Sequence, residues 1–154
     1  MFKKFNKELF KKHDAKGKEV VASLFESFGY VVEPNTKYGI DLIGDKDGMK
    51  ELIEVDHHAS WHGRVPYDPM HITTRKQKWI DDIDFFFAVV NSECDCVIIV
   101  KSSLIRKCPI LTTPNKYVKD EKCYHVPRAY FLKYYYTNPP ELNGKGAWLN
   151  DGSF

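Results

Sequence analysis

Three acids punctuate the stretch GIDLIGDKDGMKELIEVDHH, residues 39–58: Asp41, Glu54 and Asp56. Asp41 sits between Ile40 and Leu42, and Glu54 between Ile53 and Val55, so both interrupt apolar runs. Side chains alternate faces along a strand. That period sets Asp41 against its two apolar neighbours, and puts Leu52, Glu54 and Asp56 on one face with Ile53 and Val55 on the other. A hairpin closing about GDKDG, in the register that sets residue 41 opposite residue 54, would hold two carboxylates side by side. Such a pair repels, at up to about 1 kcal/mol when exposed and more when desolvated. A divalent cation removes the repulsion. Hard oxygen ligands suit Mg²⁺, which keeps several waters and needs one or two carboxylates; Mn²⁺ is the substitute. A metal so held can clamp a phosphate and activate a water for in-line attack. Asp45, Asp47, Glu51 and Asp56 could equally be plain solvated acids at strand ends.

The elements that must position these acids follow from periodicity. Val20, Val21, Leu24, Phe25 and Phe28 form one helical stripe, ended by Gly29, which predicts a helix over 16–28. Strands are expected over 30–33, 40–44 and 51–55, the last two joined by the turn residues GDKDG. Residues 56–72 read as a loop, and Thr73 or Thr74 as the cap of a helix over 75–83. The apolar runs 84–91 and 95–100 read as strands covered on both faces. SSLIRKC reads as a short helix capped by Ser102 or Ser103, followed by loop to about residue 122. YHVPRAYFLKYYY is extended but contains Pro127, which suits an edge strand or irregular chain. The tail from Thr137 reads as loop. The alternation predicts an α/β protein, with a mixed central sheet flanked by helices. A single domain over 1–154 is expected, with a basic arm over 1–15, a core over about 16–100 and a C-terminal extension over about 101–154.

Hydrophobic residues make up 43% of the 154 and aromatic ones 14%, which excludes a disordered chain. No apolar run approaches the ~20 residues of a membrane helix, and the N-terminus lacks the apolar centre of a signal peptide. The expectation is a cytoplasmic protein with no membrane partner. The net charge is +2, but residues 1–18 hold seven lysines against Glu8 and Asp14. An arm that includes Lys11 and Lys12 suits phosphate contact through counterion release. The same segment also reads as a solvated amphipathic helix, with Phe2, Phe5, Leu9 and Phe10 packed inward. Cys94 and Cys96 are too close for a zinc knuckle, and with Cys108 and Cys123 they read as reduced and structural.

The order helix–strand–strand–strand–helix–strand, with GIDLIG and then IEV, resembles the core of the PD-(D/E)XK nuclease superfamily. Asp41 matches the family's first acid and Glu54 the second, twelve residues intervening. KGKEVVASLFESFGYVVEPNTKYGIDLIG is similar to the family's opening helix and strand, and the match covers about residues 16–91. The resemblance implies an α-β-β-β-α-β, restriction-endonuclease-like core and a metal-dependent endonuclease acting on DNA phosphodiester bonds. It implies Mg²⁺ held by Asp41, Glu54, the carbonyl of Val55 and the helix glutamate, Glu19. The helical phase instead puts Glu19 opposite the apolar stripe, as plain surface. Asp56 occupies the family's lysine position, where it could ligate a second metal or act as a base. Lys76 and Lys78 in TRKQKW are candidates for a lysine moved to the following helix. The alternative is a non-catalytic nucleic-acid-binding protein that retains the nuclease fold.

The loop after Asp56 adds His57, His58, His62 and His71, without the i, i+4 spacing of a helical zinc site. Arg64, Arg75 and Lys78 could hold phosphates, and Trp61 and Tyr67 could stack on bases. Trp61 and Pro66 equally suit closure of the core. Tyr130, Phe131, Tyr134, Tyr135 and Tyr136 form an aromatic cluster suited to packing on an edge strand, to a nucleic-acid surface or to a homodimer contact.

Overall fold

A computed structural model describes residues 7–35, 39–114, 119–137 and 147–150. Helix α1 runs Lys7–Ser27, so it starts well before residue 16. The basic segment from residue 7 onward is therefore part of a helix and not a separate arm. Nothing in KELFKKHDAK breaks a helix, and Gly17 is tolerated because α1 crosses the sheet there: a Cβ at Gly17 would stand 3.2 Å from His57 Cβ. Residues 1–6, and the side chains of Lys11 and Lys12, lie outside the described residues. The helix closes on Gly29 at φ 94°, whose N–H donates to Glu26 O at 2.9 Å.

Strands β1 (Val31–Pro34), β2 (Leu42–Lys46) and β3 (Met49–His57) form an antiparallel meander. Asp47 and Gly48 turn the β2–β3 hairpin with φ of 55° and 83°, the left-handed pair that such a tight turn requires. Then come β4 (Met70–Thr73), a 3-10 turn over Thr74–Lys76, α2 (Gln77–Asp82), β5 (Phe86–Val90), β6 (Cys96–Lys101) and α3 (Ser102–Ile105). The chain continues through β7 (Ile110–Thr112), β8 (Lys122–Val126), β9 (Leu132–Thr137) and β10 (Ala147–Asn150). Among the described residues the strands make a seven-stranded mixed sheet, β1-β2-β3-β5-β6-β9-β10, and a three-stranded sheet, β4-β8-β7. β5 lies parallel to β3, as its crossover through α2 allows. The protein is thus mixed α/β, with one large sheet and few helices.

Two apolar layers cover the large sheet. Val21, Leu24 and Phe25 of α1 pack on Ile53, Val55, Ala88 and Val90. On the other face Phe87, Val89 and Ile98 meet Trp61, Ile72, Ile80, Ile105 and Tyr124. β5 and β6 are covered on both faces, as their unbroken apolar runs require. Trp61 closes the core, its Nε1 donating to Val65 O at 2.9 Å. All four cysteines are free and buried. No helix of the described residues is long and apolar enough to cross a membrane.

Several expectations are corrected. β4, β7 and β10 fall in segments read as loop; each has only three or four residues, too few to show a period of two. Pro127 separates β8 from β9, and β9 lies inside the sheet between β6 and β10 instead of at its edge. Ser102 does not cap α3. Its buried hydroxyl donates to Ile83 O and accepts the Phe85 N–H, both at 3.0 Å, tying α3 to the entry of β5.

Candidate metal and phosphate site

The β2–β3 ladder pairs Leu42 with Ile53, so the next positions outward are residues 41 and 54, the register expected from the turn. Asp41 stands just before β2 and not within it. Its carbonyl still accepts the Asn35 N–H at 2.9 Å, which extends the β1 ladder by one step. On the other side its carboxylate Oδ2 takes the Val55 N–H at 2.9 Å, where a backbone acceptor would otherwise sit. The carboxylate is thereby fixed by the hairpin itself. Val55 enters the site through this N–H.

Glu54 is 1% exposed and hydrogen-bonds to the Asp41 carboxylate. Two lysines from different layers bracket the pair. Lys76 Nζ, at the end of the 3-10 turn, lies 3.0 Å from Glu54 Oε2. Lys18 Nζ, from α1, lies 3.3 Å from Asp41 Oδ1. Burial, then the hydrogen bond and negative charge of Asp41, push the Glu54 carboxyl up to about 8 against the opposing Lys76. Burial also raises Asp41, but hydrogen bonds from Glu54 and Val55 and the charge of Lys18 outweigh it and hold Asp41 below its ordinary value. The opposed shifts favour a single proton shared by the pair over two full negative charges.

This sets the sign of a pH effect. The folded protein holds the Glu54 proton more tightly than the unfolded chain, whose carboxyl titrates near 4.5. Stability from Glu54 is complete below that value and is lost as pH rises towards about 8. Asp41 works in the opposite direction, and its contribution is lost as pH falls through its lowered value. In metal-free buffer, urea unfolding of the wild type should show this contribution falling from about pH 5 to about pH 8. Glu54→Gln should flatten that fall; an equal slope in both proteins would refute the shared proton.

The donor set fits a hard divalent cation. Mg²⁺ needs only one or two carboxylates and completes its shell with water and phosphate oxygens. The described residues hold no group of three or more His, Cys, Asp or Glu side chains arranged around one point. Glu19 is exposed and lines a cavity of about 280 Å³ with Asp41, Lys18 and Asn35, so it faces the approach to Asp41 without joining the pair in one cluster. Asp56 is exposed on the Glu54 face of β3 and lines a separate recess of about 510 Å³ with His58, Tyr67, His71 and Arg75.

Among the described residues, Arg75, Lys78 and Arg64 have partners of their own. Arg75 Nη2 bonds Glu121 Oε1 at 3.0 Å on the wall of that recess. Lys78 Nζ lies 4.4 Å from the centre of the Trp79 ring. Arg64 Cζ lies 4.3 Å from the centre of the Tyr135 ring. His57 Nε2 lies 3.5 Å from Cys94 Sγ, and His62 pairs with Glu93 at 3.5 Å. Lys18 escaped sequence reasoning. Its place beside Glu19 in KGKE was the available signal, but nothing in helical spacing says which strand acid it reaches. Compared with protein-family models and with curated proteins, the chain has no match to either.

Proposed function

We propose that the protein is a divalent-metal-dependent endonuclease hydrolysing DNA phosphodiester bonds, with a PD-(D/E)XK-like core. The observation that carries this reading is the pair Asp41 and Glu54, fixed across one hairpin and met by Lys76 at 3.0 Å. The element order supports it: α1, β1, β2, β3, α2 and β5 follow in the expected sequence, with β4 inserted before α2.

Asp41 and Glu54 would hold Mg²⁺, or Mn²⁺ in its place. When bound, the ion supplies charge neutralisation at the phosphate and a water acidic enough to attack it. Glu54 must release its proton and Asp41 its contact with Lys18 for the pair to serve as ligands. Lys76 takes the role that Asp56 cannot, offering an N–H donor and positive charge beside the attacking water and the phosphorus centre. The N-terminal lysines, Arg75 and Lys78 would hold the DNA backbone.

A second reading has one observation in its favour. Lys18 and Lys76 already compensate the acid pair, as they would in a binding protein that keeps the fold without catalysis. Plasmid, linear, single-stranded and branched DNA, each incubated with Mg²⁺ or Mn²⁺, separate the two. Cleavage of at least one substrate, abolished by a chelator, is expected of the nuclease; no cleavage of any would leave the binding protein.

A further inference from the structure

A recess beside the acid pair takes no part in the proposed hydrolysis. It is about 510 Å³, within the range of small-molecule sites. Two chain segments join it to the acids. Asp56 on its wall is two residues along the same face of β3 from Glu54, about 7 Å. Arg75 on its wall immediately precedes Lys76, whose Nζ touches Glu54.

Its lining is aromatic and polar. Tyr67 is 48% exposed, yet its ring is held, with Oη donating to Ser60 O at 2.7 Å and His58 packed edge-on at 5.7 Å. A large aromatic fixed with half its surface open at a cavity offers a stacking platform at little entropic cost. His58 lines the recess as well, its Nε2 lying 3.3 Å from Ser60 Oγ. His71, stacked at 4.3 Å on His125, adds a second imidazole, and the Arg75 guanidinium is largely exposed. Aromatic face, base-edge partners and a phosphate-binding cation are thus grouped one step from the acids.

We propose that this recess takes a single unpaired DNA base, stacked on Tyr67, while the adjoining phosphate lies at Asp41 and Glu54. The substrate class is then DNA with an unstacked or single-stranded nucleotide at the cleavage position, not uniform duplex. Extrusion of a base costs least where it is already unpaired, which is the source of the selectivity. The inference rests on the acid pair being a phosphodiester site.

The test reads binding in a chelator, so that cleavage plays no part. Fluorescence anisotropy of the full chain is compared on a matched duplex and on the same duplex carrying one unpaired 2-aminopurine. The unpaired substrate should bind about tenfold tighter or more, with a change in 2-aminopurine emission. Tyr67→Ala should erase the preference, and Tyr67→Phe, which keeps the ring, should restore most of it. Equal affinities, a preference that survives Tyr67→Ala, or no binding to either DNA would overturn the inference. A Tyr67-dependent preference in a protein that cleaves nothing would uphold the recess and sink only the nuclease reading.

Discussion

Asp41→Ala is expected to lower Mg²⁺-dependent cleavage roughly a thousandfold or more. A bound metal supplies several kcal/mol at the transition state, and each ~1.4 kcal/mol is tenfold in rate. DNA affinity measured in a chelator should stay the same or rise, because a negative charge near the phosphates has gone. The substitution also removes the acceptor of the Val55 N–H, at about 1–3 kcal/mol of stability. Asp41→Asn separates the two effects, since its amide oxygen can still accept that bond. It should fold like the wild type and remain inactive. Cleavage within about tenfold of wild type in both variants would remove Asp41 from the metal.

Lys76→Met should lower cleavage by about a hundredfold or more, the usual loss for a single electrostatic donor at a transition state. DNA affinity should change little. Lys76 also opposes the upward push on Glu54. The variant's Glu54 should therefore keep its proton to higher pH, and cleavage should require more metal or a higher pH. These two roles come apart in a metal titration. If saturating Mn²⁺ restores full activity, Lys76 only tunes Glu54; a deficit that persists places Lys76 at the reacting phosphate. Equal losses of affinity and activity would make it a plain DNA contact. Asp56→Lys on the Lys76→Met background asks whether a strand lysine can replace the moved one, and partial recovery is expected.

Legibility in the sequence followed how local each signal was. The Asp41–Glu54 register was readable because a tight turn at Asp47–Gly48 fixes the pairing of everything beside it. The burial of β5 and β6 was readable from unbroken apolar runs. Lys76 was readable only as one of two lysines on a helix start, and the 3-10 turn that carries it decides between them. Lys18 was not readable, because its partner is more than twenty residues away and on another element. The recess was hidden for the same reason. Its walls come from β3, the loop before β4, the turn after it and the chain before β8, which only tertiary structure brings together. β4 and β7 both pair with β8, a long-range contact that three or four residues cannot announce.

One divalent ion is expected between Asp41 and Glu54, displacing the proton that the pair shares. Calorimetric titration of Mn²⁺ at pH 7, in two buffers of different ionisation enthalpy, measures ion and proton together. The expected result is one saturable site releasing about one proton per ion, and loss of that site in both Asp41→Ala and Glu54→Gln. Absence of saturable binding, or binding that neither substitution changes, would contradict it.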